Sequence, residues 1–282
     1  MPCAAPFPSM GLRDIVRLAG KPGSARRIRL RKVWLVFVQV LALCSTKTAV
    51  HFLGLERISV NQLFSAIVAS TVFLLGFLLS GVLTDFKESE KIPGELATSL
   101  ESLSLELKAI TTYHPTAQIS EALNSVAELG ERIMAWLMER VEQDSLMACY
   151  RETHHQVVLA AVQFKGDAST LRGRLMQDLW IILQKINRIQ IIRDTSFVPL
   201  VYWMAYAAAS LLFAGLILSR SENLIESVFF LAVISFLVIL LLRLIDDIDN
   251  PFGFSDNNSA EDVCIDLLQN TVNRLRDASD SR

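Results

Sequence analysis

The chain has 282 residues, of which 52% are hydrophobic and 20% charged, and a mean hydropathy of +0.39. That is too apolar for an ordinary soluble domain and too charged to lie in a membrane throughout, so apolar and charged residues must be segregated along the chain. A net charge of -2 removes any whole-chain electrostatic case for nucleic acid, and charge is informative only locally.

Residues 1–32 carry Arg13, Arg17, Lys21, Arg26, Arg27, Arg29, Arg31 and Lys32 against the single acid Asp14. Arg-rich, acid-poor composition is that of an organellar transit peptide. The crowding of basic residues immediately before an apolar run favours a basic cytoplasmic N-terminal segment, and both readings stand at this stage. Without interleaved aromatics the segment gives no case for nucleic acid.

The run 33–44 is apolar but short, and a crossing needs the extension STKTAVHFLGL, which contains Lys47 and His51. Snorkelling ends and buried partners make such helices workable. The following loop carries Glu56, Arg57 and Asn61. Residues 63–82, LFSAIVASTVFLLGFLLSGV, carry no charge and are long enough to cross a hydrocarbon core, since about 20 residues at 1.5 Å each match roughly 30 Å. Advancing about 100° per residue gives this helix two unlike faces. One reads Ala66, Ala69, Ser70, Phe73, Phe77, Ser80, Gly81 and Thr84; the other reads Phe64, Ile67, Val68, Thr71, Leu75, Leu78, Leu79 and Val82. Small residues at this spacing are common where membrane helices pack closely, and they are equally what a pore wall needs. The helix alone leaves both open. Residues 33–84 are assigned to the first two membrane helices.

Residues 85–196 form a polar helical domain, expected in the cytoplasm. Pro93 suits the first turn of a helix whose apolar seam is Leu96, Leu100, Leu103, Leu107 and Ile110, ending at YHPT. A single long helix is expected next, from Ile119 through Leu123, Val126, Ile133, Leu137 and Val141 towards Phe164. A third seam follows on Leu171, Leu175, Leu179, Ile182, Ile186 and Ile189. Such narrow stripes pack helices on one another and on other subunits. Residues 197–245 supply the third and fourth membrane helices, joined by the tight linker SRSEN, with Glu226 and Arg243 near the ends of the fourth. Four spans place both termini on one side, and the basic flank makes that side cytoplasmic. Residues 246–282 form a C-terminal docking segment and helix. Pro251 and Gly253 turn the chain, Ser259 and Asp262 offer a capping-box-like start, and Val263, Leu267, Leu268, Thr271, Val272 and Leu275 make a stripe that must dock.

Catalytic signatures are absent: there is no P-loop, GxGxxG or GxSxG, and no enzyme activity is expected. Cys3, Cys44, Cys149 and Cys264 lack CxxC spacing and read as reduced structural thiols. His154 and His155 are adjacent, hence about 100° apart, and do not make a metal-binding pair. The one acidic cluster is Asp246, Asp249 and Asp256, with Asp247. It reads as a solvated helix exit able to answer the basic flank; a calcium site there would need six to eight oxygen ligands on an ordered loop, and no cofactor is expected.

Three motifs resemble those of the bestrophin family. The segment LLGF, followed after LLSGVLT by DFKESE and then Gly94, resembles the bestrophin pore helix and its exit. VPLVY at residues 198–202 is similar to the start of the family's third membrane helix, and DNPFG at residues 249–253 resembles the segment after the fourth, followed here by a helix with Cys264. The resemblance implies an all-α, four-span membrane fold with a cytoplasmic helical bundle. It further implies a homopentamer whose second helices surround an ion pathway, in a bacterial inner membrane or an organellar membrane. Carried over through LLGF, the family's hydrophobic neck falls on Ala69, Phe73 and Phe77, three residues of the small face, with Ala66, Ser70, Ser80, Gly81 and Thr84 as further pore-lining candidates. Two departures matter. Ala69 is smaller than the usual residue, and FSDNNS replaces the acidic run of calcium-gated members, which argues against calcium gating. The expected function is a channel for chloride or other small inorganic ions in the lipid bilayer. Its rival is a non-conducting membrane scaffold in which the small face packs. Phenylalanine edges and faces carry opposite potential, so the rings do not fix the sign of the ion.

Overall fold

The computed structural model describes residues 22–59, 61–113, 119–162, 169–194, 199–249, 251–252 and 263–280. Four stretches are long and apolar enough to cross a membrane: Val33–Phe52, the beginning of Gln62–Thr111, Leu200–Leu218 and Leu224–Ile248. The fold is all-helical apart from one pair of two-residue strands, among the described residues.

Helix α1 spans Pro22–Phe52. It starts at a proline, where the missing amide is no loss, so helix continues back into the basic segment that the sequence reading closed at residue 32. A short strand β1 (Ile58–Ser59) leads to α2 (Gln62–Ser89). Asn61 caps α2 by accepting the Phe64 amide at 3.0 Å. The hydroxyls of Thr71 and Thr84 donate to carbonyls one turn back, at 2.9 and 2.8 Å, which satisfies them where lipid offers no partner. Helix runs unbroken through DFKES, past the domain boundary drawn at residue 85. After a turn come α3 (Ile92–Tyr113), α4 (Ser120–Leu137), α5 (Gln143–Val162) and α6 (Ser169–Asp194). Then α7 (Pro199–Leu218), strand β2 (Ser219–Arg220), α8 (Leu224–Ile248) and α9 (Asp266–Asp280) complete the order.

Two apolar cores follow from this order. In the membrane portion α1 and α2 each pack on the α7–α8 pair, with Leu75, Leu78 and Val82 buried among Ala205, Ala209, Leu212, Leu231, Val238 and Ile245. The second core fills the bundle of α3 to α6 and contains the expected stripes of α3, α4 and α6, buried except for partly exposed Leu171 and for Val141, which lies beyond the end of α4 and is half-buried outside the core. Phe86 touches both cores. The exit of α2 is pinned to α6 by Arg188, whose guanidinium grips Glu88 at 3.1 and 2.8 Å, and beyond it Lys185 pairs with Glu95.

The single helix expected from Ile119 to Phe164 is two. It stops at Leu137, and Glu139 takes a left-handed conformation with φ of 56°. The Arg140 amide then donates to Ala135 and the Glu139 amide to Trp136, at 2.9 and 3.0 Å, the double closure of a Schellman cap. No glycine or proline marks the stop, so the sequence pattern passes over it. What supports it is Arg193 at the end of α6. Its guanidinium lies 4.8 Å from the Trp136 ring centre and donates to the carbonyls of Trp136 and Leu137 at 3.3 and 2.7 Å and of Phe252 at 3.3 Å. One side chain therefore ends α4 and holds the NPF tail.

Phe252 is wholly buried, and the Val263 amide returns to the Pro251 carbonyl at 3.1 Å. Helix α9 begins later than expected, at Asp266, and Ser259 and Asp262 lie outside the described residues. Val263, Leu268, Thr271, Val272 and Leu275 are buried, and α9 docks on α3 and α4. Leu267 is exposed, because its neighbour Leu268 takes the buried position and adjacent residues on a helix point about 100° apart. Gly130 makes the docking possible: a Cβ there would sit 3.0 Å from a Val272 methyl. Arg274 and Arg276 add exposed pairs with Glu101 and Glu131 at 2.8 and 3.0 Å, each a small contribution in water.

Replacing Arg193 with Met removes its hydrogen bonds to three carbonyls and its contact with the Trp136 ring, and is expected to cost about 2–4 kcal/mol. Thermal unfolding of the detergent-solubilised protein measures this, and an unchanged midpoint would show that Arg193 does not hold the tail.

Candidate functional site

A membrane helix has a fixed circumference, and the neighbours that pack on it decide what is left over. On α2 the bulky face is the one consumed. Thr71, Leu75, Leu78 and Val82 are buried, with Phe64, Val68 and Leu79 partly so, and Ile67 alone of that face is exposed. The small residues that allow this approach lie on α7: Ala205 and Ala209 are buried, and a Cβ at Gly215 would meet the Phe64 ring at 3.0 Å.

The opposite face carries the site residues expected from the sequence. Ala66, Ala69, Ser70, Phe73, Phe77, Ser80 and Thr84 are exposed, and Gly81 half-buried. Phe73 and Phe77 are 76% and 70% exposed, although large aromatic rings. Gly76 between them has no atom within 4 Å of the place a Cβ would take. The chain thus presents a ladder of small and hydroxylated residues interrupted by two rings one turn apart, and apart from half-buried Gly81 it leaves that ladder outside its own packing. Four spans that contact one another on one side of α2 do not enclose a pathway; enclosure requires further copies.

Asp246 and Asp249 lie one turn apart at the end of α8, against the Tyr202 phenol of α7, and Asp256 lies outside the described residues. Among the described residues no three His, Cys, Asp or Glu side chains come together as a metal site. His154 and His155 are both exposed on α5, Cys149 is buried and Cys264 exposed.

The sequence reading noted Lys47, His51 and Glu56 without joining them. Lys47 is completely buried in α1, and its Nζ donates to Glu56 Oε1 at 2.7 Å and to the Ser219 carbonyl. His51 Nδ1 lies 3.1 Å from the same Glu56 oxygen. Strands β1 and β2 pair in parallel beside them, Ile58 with Ser219 and Ser59 with Arg220. The only signal in the sequence was a lysine inside the stretch that has to cross the membrane.

No protein-family model matches the sequence, and no characterised protein matches it by sequence search. Solved structures do match in fold. A bacterial bestrophin homolog from Klebsiella pneumoniae superposes with a TM-score of 0.65 at 14% identity, covering 89% of this chain and 98% of that one. A point variant of it gives a TM-score of 0.66 at 13% identity, covering 90% and 99%. A structure described only as a membrane protein gives 0.63 at 16% identity, covering 88% and 96%. The chain has the bestrophin fold.

The two faces of α2 are expected to respond differently to truncation. Leu75→Ala empties a packed site and should cost about 2–5 kcal/mol, whereas Phe77→Ala, on the exposed face, should cost less than about 1 kcal/mol. Unfolding of both variants in detergent measures the asymmetry; equal losses would mean that Phe77 is a packing residue.

Proposed function

We propose that this bestrophin-fold chain is an ion channel that assembles as a homopentamer, with five copies of α2 surrounding the pathway. The observation that carries the reading is the division of α2: its bulky face is used up by α7 and α8, and its small, hydroxylated face with Phe73 and Phe77 is left exposed. Ala69, Phe73 and Phe77 form the neck. In a five-fold ring each phenylalanine position contributes five aromatic side chains to a gap too apolar to hold stable water, which opposes ions without a plug. Ser70, Ser80 and Thr84 flank the neck with hydroxyls that can replace part of an ion's hydration. The proposed substrate is chloride or another small inorganic anion; ring edges turned inward would present positive potential to it and ring faces negative.

The basic residues up to Lys32 support cytoplasmic termini. The bundle of α3 to α6, continuous with the exit of α2 and braced by the tail, then prolongs the pathway on the cytoplasmic side.

Reconstitution in planar bilayers tests the reading. Unitary currents are expected from the wild type, and Phe77→Ala should hydrate the neck and raise current or weaken gating while the particle mass stays that of a pentamer. A monomeric particle, or a folded pentamer that never conducts, would replace the channel with a membrane scaffold.

A further inference from the structure

Lys47 lies five residues from the end of α1, about 8 Å inside it. A lysine there could snorkel to the interface, yet it points inward and is wholly buried. Its ammonium joins three parts of the chain: α1 itself, Glu56 in the lead into α2, and the Ser219 carbonyl in the turn between α7 and α8. The Arg57 amide donates to the Leu218 carbonyl at 3.1 Å, and the paired strands complete the seam. Five residues after Glu56 stands Asn61, the cap of α2. At the end far from the helical bundle, the buried Lys47 ammonium and the half-buried Glu56 carboxylate thus tie α1 and the α7–α8 turn to the lead into α2.

A buried pair is a poor way to gain stability, since apolar replacements of similar volume often serve as well, but breaking one partner leaves an uncompensated charge. Such a pair specifies position. We propose that Lys47 and Glu56 form a latch that positions the far end of α2, and that this latch sets the conducting geometry of the mouth. The proposal rests on the channel reading above. The groups facing Glu56 are Lys47 and His51 of α1, with the Ser219 carbonyl beside them. The Lys47 hydrogen bond, with a smaller contribution from His51, holds the Glu56 carboxyl below the ordinary carboxylate value against the opposing effect of burial. A carboxylate depressed in this way contributes its full stability above its unfolded value and loses it progressively as pH falls from there through the lower native value. Protonating Glu56 in the native latch therefore requires more acid than protonating an ordinary carboxylate.

The test uses the full chain with its native cysteines replaced and a reporter Ser219→Cys, a position buried beside the latch. Its labelling by a water-soluble maleimide and its unitary current are measured together for the parent, Lys47→Met, Glu56→Gln and the double variant. Each single variant should label at least about tenfold faster, the scale of a lost buried pair, and should change unitary current or open fraction. The double variant, neutral again, should return both towards the parent. If a single variant fails to assemble, recovery in the double supports the pair and continued failure overturns it. Unchanged labelling in the single variants, or a double as disturbed as they are, overturns the latch. Labelling that follows the pair while current never changes overturns the positioning role and leaves a structural brace. A parent that carries no current defeats the channel reading instead, and labelling still decides the latch.

Discussion

The structure depends on the burial of Leu75, Leu78 and Val82 against the α7–α8 pair. Between membrane helices there is no hydrophobic drive, because lipid tails are as apolar as leucine. Close packing has to supply the attraction, and it does so where Gly215 admits the Phe64 ring and Ala205 and Ala209 admit the α2 backbone. Once that contact forms, the rotation of α2 about its axis is set. The face bearing Ala69, Phe73 and Phe77 can then point only away from the rest of the chain.

Other features keep α2 in that rotation along its length. Asn61 caps its start, and the Lys47–Glu56 pair ties the preceding loop to the α7–α8 turn. At its exit Glu88 is gripped by Arg188 of α6, and Phe86 enters both cores. The bundle is in turn closed by Arg193, which joins the end of α4 to the tail. A continuous mechanical path therefore runs from the start of α2, through its length, to α9 docked on α3 and α4. The path is made of packed contacts and charge-assisted hydrogen bonds, and each part has a side chain whose removal should be felt.

Periodic features were legible in the sequence. The two faces of α2 follow from 100° per residue alone, and so do the stripes of α3, α4 and α6, because local periodicity is enough to specify them. What escaped was non-local or conformational. Lys47 and Ser219 are separated by 172 positions, and no local pattern links a buried lysine to a distant carbonyl. The stop at Glu139 escaped because a non-glycine residue takes the left-handed conformation there, held by Arg193 from another helix. The start of α9 and the exposure of Leu267 depend on how the tail is led in by Phe252 and Val263. Among the candidate site residues, the sequence placed Ala69, Phe73 and Phe77 on one face; that this face is the unused one required the packing of α7 and α8.

The central claim is that the exposed face of α2 lines the ion pathway in the assembled protein. Substituted-cysteine accessibility along residues 66–84, in a background without Cys3, Cys44, Cys149 and Cys264, measures it directly. The account predicts that water-soluble thiol reagents modify cysteines at Ala66, Ala69, Ser70, Phe73, Phe77, Ser80 and Thr84 and spare those at Thr71, Leu75, Leu78 and Val82. Modification without helical periodicity, or protection of the whole Phe73–Phe77 face in an intact oligomer, would contradict it.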